Sequence, residues 1–548
     1  MKEKFITDIE NSIKKNWNKP ALSNFQGEDY NYQKVADRII YLHYIFKKAG
    51  IKKGDKITLI GINSINWAIV YLSTVSYGAV IVPILPDFKA DDIHHIVNHS
   101  DASLLFCAGN IYDSLEESKM TNLKGIFVLE NLQLMHHKKS QLSQAVKSAE
   151  SDYLQSYNNY LTPENFKIED VKNEDLATIV YTSGTTGFSK GVMLLHNSLS
   201  ANVRFAQNHM PLKAGDKIVS FMPLAHLYGC SFEFLFPLSL GCHITFLSKT
   251  PSPKVIVKAF SEIRPQLILS VPLIIEKIYK KQISPAISKG AVKYLLKTPV
   301  ISRTIHKKIY NKLFDVFGAN FHEIVIGGAA FNPQVETFLK TIGFPFTNGY
   351  GMTECGPLIS YASWKTTKPF SVGKVVDTLE IKVDSPNPAK EPGEVMVRGE
   401  NVMVGYYKNP AATNDAIDEE GWLHTGDLGL IDEDGFIFLK GRSKFMILGP
   451  SGQNIFPEEL EAKLNSLKYV SESIVTERDN KLVALIYPDY EAVDEESLDN
   501  ETLEKKIEEG RVYINSTLPG FANINKFELY PEEFEKTPTK KIKRFLYN

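Results

Sequence analysis

A glycine-rich segment, Tyr181-Thr-Ser-Gly-Thr-Thr-Gly-Phe-Ser-Lys190-Gly-Val-Met193, follows directly on the apolar run Ala177-Thr-Ile-Val180. This order predicts a buried strand that ends in a loop. Glycines let backbone N–H groups approach an anion closely, hydroxyl groups add hydrogen-bond donors, and Lys190 adds a positive charge. The residue types therefore predict a phosphate-binding loop, although its spacing is not that of a Walker A motif. A flexible surface loop is the alternative interpretation.

Four further motifs follow this segment toward the C-terminus. They are Tyr350-Gly-Met-Thr-Glu354, Gly421-Trp-Leu-His-Thr-Gly-Asp427, Gly441-Arg-Ser-Lys444 with Gly452 to Glu461, and Thr537-Pro-Thr-Lys-Lys541. In content, order and spacing, the five motifs resemble the adenylate-forming superfamily, which includes acyl-CoA synthetases, luciferases and peptide-synthetase adenylation domains. The resemblance extends from residue 181 almost to the C-terminus. It implies activation of a carboxylic acid by ATP.

From this resemblance we expect an ATP site built from several motifs. The implied nucleotide-binding residues are Thr182, Ser183, Gly184, Thr185, Thr186, Lys190, Gly328, Ala329, Asn348, Gly349, Tyr350, Gly351, Thr353, Asp427 and Arg442. Asn348 would bond the adenine amine, and Tyr350 would stack on the base. Asp427 would accept both ribose hydroxyls, close to Arg442. For Asp427 the alternative interpretation is a residue that only forms a turn.

The resemblance also implies a catalytic set, which consists of His226, Thr353, Glu354 and Lys541. His226 would lie near the substrate carboxylate, and a packed core histidine is the alternative. Glu354 would hold Mg²⁺, because a carboxylate is a hard ligand for a hard cation that also binds ATP phosphates. Lys541 would place positive charge beside the phosphorus that the carboxylate attacks. Family members usually have glycine at the position of Lys540, so Lys540 remains the alternative for this role.

The length of 548 residues predicts two or more domains. Helices and strands are expected to alternate between residues 20 and 110, which indicates βαβ units with parallel strands. The resemblance implies an α/β fold with a large N-terminal domain (1–440) of packed α/β sheets plus a distorted β-barrel. A hinge (441–446) with its pivot at Lys444 would lead to a small mobile α+β C-terminal domain (447–548). The turn containing Gly449 and Gly452 would line the CoA tunnel.

The amino-acid composition argues against several classes of function. The formal net charge of −2, from 62 Lys and Arg against 64 Asp and Glu, offers no overall attraction to nucleic acid. The four cysteines are far apart and form no CxxC pair, which argues against a zinc site or a disulfide framework. The first ten residues are charged and lack the apolar core of a signal peptide. We therefore expect a cytoplasmic protein that does not bind nucleic acid.

Two segments raise the question of membrane contact. Trp67 to Leu85 has no charged residue but contains Ser, Thr, Gly and Pro, so we predict a core helix, a turn at Gly78 and a buried strand. Residues 277–312 contain no acidic residue and carry many Lys and Arg between apolar positions. This pattern suits peripheral contact with the inner face of an anionic membrane, or a solvated basic face.

The predicted function is ATP-dependent activation of a fatty acid through an acyl-adenylate, followed by transfer to CoA. Val271-Pro-Leu-Ile-Ile-Glu-Lys-Ile-Tyr279 is most similar to the corresponding segment of long-chain fatty acid CoA ligases, and Gly328 and Ala329 would line the adenine and the acyl chain. The implied substrates and cofactors are a fatty acid, ATP, Mg²⁺ and CoA. The alternatives are a ligase that loads a carrier protein, a medium-chain or aryl-acid CoA ligase, and an inactive adenylate-binding relative. The oligomeric state stays open.

Overall fold

The computed structural model describes residues 4–138, 140–157, 161–182, 190–248, 252–288, 298–448, 453–479, 481–538 and 541–547. Helices and strands alternate over the first part of the chain, as the sequence pattern indicates. The elements up to residue 246 are α1 (Phe5–Lys15), β1 (Pro20–Asn24), β2 (Asp29–Asn31), α2 (Tyr32–Lys48), β3 (Lys56–Ile60), α3 (Ile65–Tyr77), β4 (Val80–Ile84), α4 (Ala90–His99), β5 (Ala102–Cys107), α5 (Gly109–Tyr112), β6 (Gly125–Val128), β7 (Leu134–His137), α6 (Ser140–Tyr157), β8 (Leu176–Thr182), β9 (Lys190–Leu195), α7 (His196–His209), β10 (Lys217–Ser220), α8 (Leu227–Gly229), α9 (Phe236–Leu240) and β11 (His243–Phe246).

The middle of the chain carries shorter strands. Its elements are α10 (Pro253–Ile263), β12 (Leu267–Ser270), α11 (Pro272–Ile278), α12 (Ser284–Ser288), α13 (Pro299–Val316), β13 (Glu323–Ile326), α14 (Pro333–Thr341), β14 (Phe346–Asn348), β15 (Tyr350–Gly351), β16 (Leu358–Tyr361), β17 (Lys374–Val375), β18 (Leu379–Asp384), β19 (Gly393–Gly399), β20 (Gly405–Tyr406), α15 (Pro410–Ala416), β21 (Leu423–Ile431), β22 (Ile437–Arg442) and β23 (Ile447–Leu448). Wider helical turns at Cys230–Leu235 and Tyr279–Ile283 continue α8 and α11.

The last hundred residues form an α+β unit. Its elements are β24 (Asn454–Ile455), α16 (Pro457–Leu464), β25 (Val470–Arg478), β26 (Lys481–Pro488), α17 (Tyr490–Glu495), α18 (Asn500–Asn515) and β27 (Lys526–Leu529). Strand β26 pairs antiparallel with β25 and parallel with β27, so α17 and α18 lie in a βαβ crossover. This unit has hydrophobic clusters of its own, which include Ile455, Leu464 and Ile507. The unit therefore has a core separate from that of the preceding sheets, and the boundary at residue 440 stays a prediction.

The largest sheet has the strand order β20-β9-β8-β4-β3-β5-β6-β7. The strands β8, β4, β3, β5 and β6 run parallel, and antiparallel pairs close both sides. A second, parallel sheet has the order β12-β13-β14, and a third has the order β10-β11-β1-β2. Two antiparallel sheets, β15-β16-β17 and β18-β19-β21-β22, follow in the chain, and the distorted barrel stays a prediction. The α/β fold class predicted from the sequence is confirmed.

Helix α3 explains the long uncharged segment. The Ser64 hydroxyl accepts a hydrogen bond from the Trp67 amide at the start of the helix, and Gly78 ends it with φ of 81°. Apart from Asn66 and Tyr77, the residues of this helix are buried, and β4 follows inside the largest sheet. Over the described ranges, no helix is long and apolar enough to cross a membrane.

The region from 131 to 165, which looks from its composition like exposed helix and loop, contains a strand. Residues Leu134–His137 form β7, which pairs antiparallel with β6 at the edge of the largest sheet. Their exposure alternates between half-buried and exposed, so the pairing buries only one side of the strand. A half-exposed edge strand that contains two histidines has a weak sequence pattern, because few apolar residues are needed to cover one side.

Candidate active site

The glycine-rich segment connects two antiparallel strands. Strand β8 is largely buried and ends at Thr182, which lies opposite Lys190 at the start of β9. The Thr182 hydroxyl donates to the Lys190 carbonyl over 3.5 Å. Residues 183–189 lie outside the described part of the chain, and with them the predicted ligands Ser183, Gly184, Thr185 and Thr186. The strand predicted before the loop is present, and Lys190 stands at the far side of the connection.

Tyr406 joins this lysine to the predicted metal ligand. The ammonium nitrogen of Lys190 lies 4.9 Å from the centre of the Tyr406 ring, a cation–π contact. The Tyr406 hydroxyl donates to Oε1 of Glu354 over 2.9 Å. Tyr406 is in β20, which pairs with β9, so the sheet itself brings Tyr406 beside Lys190, and the hydrogen bond adds Glu354 to them. No motif surrounds Tyr406, so its contact with Glu354 could not be predicted from the sequence.

Glu354 supplies a single carboxylate for a divalent cation. It follows Thr353 in a short helical turn, and both residues are half-buried. In the described ranges, no group of three or more His, Cys, Asp or Glu side chains could hold a metal ion. Mg²⁺ is commonly bound by one or two carboxylates together with substrate phosphates and water. The donor set therefore fits a magnesium ion that arrives with the nucleotide, and does not fit a resident metal centre.

Asp427 lies at the centre of a polar cluster. Its Oδ2 accepts a hydrogen bond of 2.6 Å from the Tyr350 hydroxyl, and its Oδ1 lies 2.7 Å from Nε of Arg442. Asp427 and Arg442 face each other across the β21–β22 hairpin. Burial raises the pKa of Asp427, and the neighbouring Arg442 guanidinium opposes this shift. The predicted ribose-binding acid and its arginine are therefore neighbours, and the aspartate is more than a turn residue.

Lys541 extends from the C-terminal unit toward this cluster. The side chain is solvent-accessible but lies inside a cleft, where the surrounding protein, and then the Arg442 guanidinium, lower its pKa. The carboxylates of Asp427 and Glu354 oppose that shift, so both lie close enough to interact with the ammonium group. Lys540 lies outside the described residues. The structure brings Lys541 to the cleft, and Lys540 stays the alternative for the catalytic role.

The C-terminal turn that carries Lys541 is held by a buried ion pair. Arg544 binds the Glu461 carboxylate, and both side chains are almost fully covered. Glu461 also accepts the Val475 amide over 2.6 Å, and Arg544 lies over the Phe445 ring. These contacts tie the turn to the body of the C-terminal unit. Neither Arg544 nor Glu461 was identified from the sequence, since only the fold brings them together.

His226 faces the same cleft. The Tyr228 amide donates to Nδ1 over 3.2 Å, which leaves the ring proton on Nε2. Burial and then the positive charge of Lys541 lower the pKa of His226 to about 4, so the ring is neutral near pH 7. A role for His226 beside the substrate carboxylate stays a prediction, with a packed core histidine as the alternative.

The loop before His226 is fixed by buried polar side chains. The amides of Phe221 and Met222 donate to Oε2 of Glu233 over 2.9 and 3.0 Å. Asn63 accepts the Leu224 amide and donates to the Met222 carbonyl. These backbone groups of the loop therefore have hydrogen-bond partners within the protein, which limits the movement of the loop.

The strand ends of the β12-β13-β14 sheet lie beside the segment that carries His226, because the Tyr228 hydroxyl donates to the Val325 carbonyl over 2.9 Å. Gly328 follows β13, is exposed, and has φ of 89°, a conformation that favours glycine; Ala329 beside it is also exposed. The Gly349 amide donates to the Ile326 carbonyl over 2.8 Å, which keeps the end of β14 against β13. At Gly351 an added Cβ would lie 2.1 Å from the Pro357 carbonyl oxygen, so no other residue fits.

The predicted hinge and CoA turn are described only in part. Lys444 is exposed, and its ammonium nitrogen lies 4.9 Å from the Phe445 ring centre. Gly449 and Gly452 lie outside the described residues, so their role stays a prediction.

The basic segment 277–312 divides into two parts. Lys280 and Lys281 pair with Asp489 and Glu491 of the C-terminal unit, whereas Lys307 and Lys308 are exposed on α13. The first pair therefore contacts protein in this conformation, whereas the exposed lysines of α13 stay available for the membrane hypothesis.

The fold and the cleft together are those of an adenylate-forming ligase. A family model described as "AMP-binding enzyme" matches residues 9–407, and the chain belongs to this family. Among curated proteins, it is 26% identical over 539 residues to a long-chain-fatty-acid–CoA ligase of Mycobacterium bovis, covering 90% of this chain and 86% of the relative. It is 30% identical over 455 residues to the peroxisomal long chain acyl-CoA synthetase 6 of Arabidopsis thaliana, covering 78% of this chain and 63% of the relative.

Solved structures share the fold over the whole chain. An anthranilate CoA ligase in complex with anthranoyl-AMP superposes with a TM-score of 0.79 at 20% identity, covering 99% of this chain and 96% of the other. ATP-bound MatB from Rhodopseudomonas palustris has a TM-score of 0.77 at 20% identity, covering 100% and 98%. The family and the shared fold confirm the resemblance drawn from the motifs, and ATP is the nucleotide that this family binds.

Proposed function

We propose that this protein activates a fatty acid of the long-chain class with ATP and transfers the acyl group to CoA. The observation that carries the proposal is the position of Lys541, which reaches the cleft beside Arg442, Asp427, Glu354 and His226. This arrangement concentrates positive charge where a carboxylate would meet the α-phosphate. The products are acyl-CoA, AMP and pyrophosphate.

In the first step, a carboxylate oxygen attacks the α-phosphorus of ATP, and the bond to the pyrophosphate oxygen breaks. Charge grows on the phosphoryl oxygens as this happens, so Lys541 and Lys190 would stabilise the transition state more than the ground state. His226 would orient the acid, because its Nε2 carries the proton and can donate to a carboxylate oxygen. Glu354 would hold Mg²⁺, and the chemistry that such an ion supplies is neutralisation of negative charge on phosphate oxygens.

In the second step, the thiol sulfur of CoA attacks the activated carbonyl carbon, and AMP leaves with the bonding electron pair. No side chain has to form a covalent bond, so the protein contributes positioning and charge. We propose that the C-terminal unit turns about Lys444 between the steps and that the turn at Gly449 to Gly452 then lines the path for CoA.

The long-chain assignment is supported by the names of the curated relatives, at 26 to 30% identity. The apolar segment after His226 would, by the resemblance, lie along the acyl-binding wall. It adds little to the long-chain assignment, because Phe232, Phe234 and Phe236 are fully buried in the core. Medium-chain and aryl acids stay the alternative substrates, a carrier protein the alternative acceptor, and an inactive relative the alternative to an enzyme.

The test is AMP formation from ATP with a series of fatty acids and with benzoate, each with and without CoA. The proposal predicts a maximum at long chains and turnover only with CoA. A maximum with benzoate or a short acid would overturn the long-chain assignment, and stable adenylate with no response to CoA would indicate a carrier-protein ligase. No AMP with any acid would leave a nucleotide-binding relative.

A further inference from the structure

Glu336 is a buried carboxylate that the mechanism above does not use. It lies in the first turn of α14, and its Oε2 accepts a hydrogen bond of 3.1 Å from Nδ2 of Asn348. Its Oε1 accepts the Phe370 amide over 2.6 Å. Both acceptors of this side chain are therefore directed at N–H groups, one of which belongs to a predicted adenine ligand.

The amide of Asn348 is only half satisfied. The residue is 8% exposed, and within the described part of the chain its Oδ1 has no hydrogen-bond partner. A buried acceptor without a donor costs free energy, so such an atom at a ligand site indicates a donor on the ligand. Asn348 ends β14 beside Ile326 and precedes Gly349 and Tyr350, whose hydroxyl reaches the predicted ribose acid. The unpaired oxygen therefore lies in the nucleotide-binding region.

The Glu336 carboxylate sets the orientation of the Asn348 side-chain amide. The oxygen and nitrogen of an asparagine amide have nearly the same shape, so only their partners set the orientation. An ionised carboxylate accepts hydrogen bonds and cannot donate them. The Glu336 carboxylate therefore binds Nδ2 of Asn348 and excludes the flipped orientation, in which Oδ1 would face it. Burial raises the pKa of Glu336, and the Phe370 amide and then the positive charge of Lys340, one turn further along α14, oppose this shift.

We propose that Glu336 is a positioning residue that keeps Oδ1 of Asn348 toward the nucleobase, and so selects adenine over bases with oxygen at position 6. Adenine carries an exocyclic amine at that position and can donate to Oδ1, whereas hypoxanthine and guanine carry a carbonyl that would oppose it. The inference rests on the proposed function only for the presence of ATP in this cleft.

The test compares ATP with inosine triphosphate, which differs at position 6, in Glu336→Gln. Glutamine keeps the size of the side chain but can donate as well as accept, so the Asn348 amide gains a second orientation. We expect the ratio of kcat/KM for ATP over inosine triphosphate to fall by about tenfold or more, the size of one hydrogen bond at a buried site. Calorimetric affinities for the two nucleotides should change in the same ratio.

The matched control is Glu276→Gln. Glu276 is also a largely covered carboxylate that accepts a backbone amide, that of Asn332, and it does not contact Asn348 in the structure. In Glu276→Gln, the ratio of kcat/KM for ATP over inosine triphosphate should stay within about twofold of the native value. This result would separate base selection from a general loss of packing. Thermal unfolding of both variants checks that each is folded.

An unchanged nucleotide ratio in Glu336→Gln, with both rates lowered equally, would overturn the inference and leave Glu336 a structural anchor for Phe370. A native protein that binds both nucleotides equally would also overturn it. A protein that binds ATP selectively, loses this selectivity in Glu336→Gln and forms no AMP with any acid would support the inference while the proposed function fails.

Discussion

At the scale of single residues, Lys541 is the side chain whose contribution is easiest to isolate. Lys541→Ala should lower the rate of acyl-adenylate formation by about a hundredfold or more, because one charged donor beside the reacting phosphate is lost. Release of AMP from supplied acyl-adenylate and CoA should change much less, since the proposed second step does not use this lysine. Both half-reactions can be followed by quenched-flow analysis.

Lys543→Ala is the control for this variant. Lys543 is two residues away and pairs with Glu535. Its loss should leave both half-reactions near the native rates. Equal losses in both half-reactions of Lys541→Ala would contradict the assignment to the first step.

The pH dependence follows from the same residue. The surrounding protein and then Arg442 lower the pKa of Lys541, so the ammonium loses its proton at a lower pH than an ordinary lysine. We therefore expect kcat/KM for ATP to fall on the alkaline side below the ordinary lysine value of about 10.4. His226, with a pKa lowered to about 4, stays neutral above pH 6 and adds no change there.

Lys541→Arg provides the comparison, because a guanidinium keeps its proton over this range. Its residual activity should show the alkaline decline displaced upward or absent. If the decline occurs at the same pH in both proteins, another group is responsible for it.

At the scale of an element, the loop before His226 depends on one glutamate. Glu233→Ala should destabilise the protein by about 2–4 kcal/mol, because the amides of Phe221 and Met222 lose their acceptor and a cavity remains. Glu233→Gln keeps an acceptor oxygen in place and should cost less. Urea unfolding followed by tryptophan fluorescence measures both values, and equal stabilities of the two variants would refute this account of the loop.

At the scale of the whole molecule, polar contacts join the C-terminal unit to the preceding part of the chain, and they depend on the relative placement of the two in this structure. Lys280 donates to the Val470 carbonyl over 2.8 Å and lies 2.9 Å from Asp489, and Nδ2 of Asn332 donates to the Ala462 carbonyl. These contacts hold the C-terminal unit where Lys541 reaches the cleft. If the unit turns for the second step, they have to break.

Lys280→Ala should therefore slow adenylate formation by about three- to tenfold while leaving thioester formation from supplied adenylate unchanged or faster. The loss is modest because the pair is only partly buried. Lys308→Ala, on the exposed face of α13, is the control and should change neither step. A slower second step in Lys280→Ala would contradict the view that the Lys280 contacts favour the arrangement used for the first step.

Much of the fold and part of the site could be predicted, because the signals are local. An apolar run followed by glycines and hydroxyls predicts a strand and a loop wherever it occurs, and β8 ends where that pattern ends. Ser64 and Gly78 delimit α3 through capping interactions that involve only neighbouring residues. Asp427 and Arg442 meet across one hairpin, so the motifs that contain them already imply their contact.

The contacts that sequence alone did not reveal join residues from different elements. Tyr406 and Glu354 are 52 positions apart, and Glu336 meets Asn348 only because α14 packs beside β14. Neither pair has a local pattern, since hydrogen-bond partners are set by the relative placement of elements after packing. By itself the sequence determined the family, the α/β fold and the motif residues, because those follow from local periodicity and motif order. The tertiary structure alone decided that Lys541 reaches the cleft and which buried carboxylates orient the residues around it, because both depend on long-range packing.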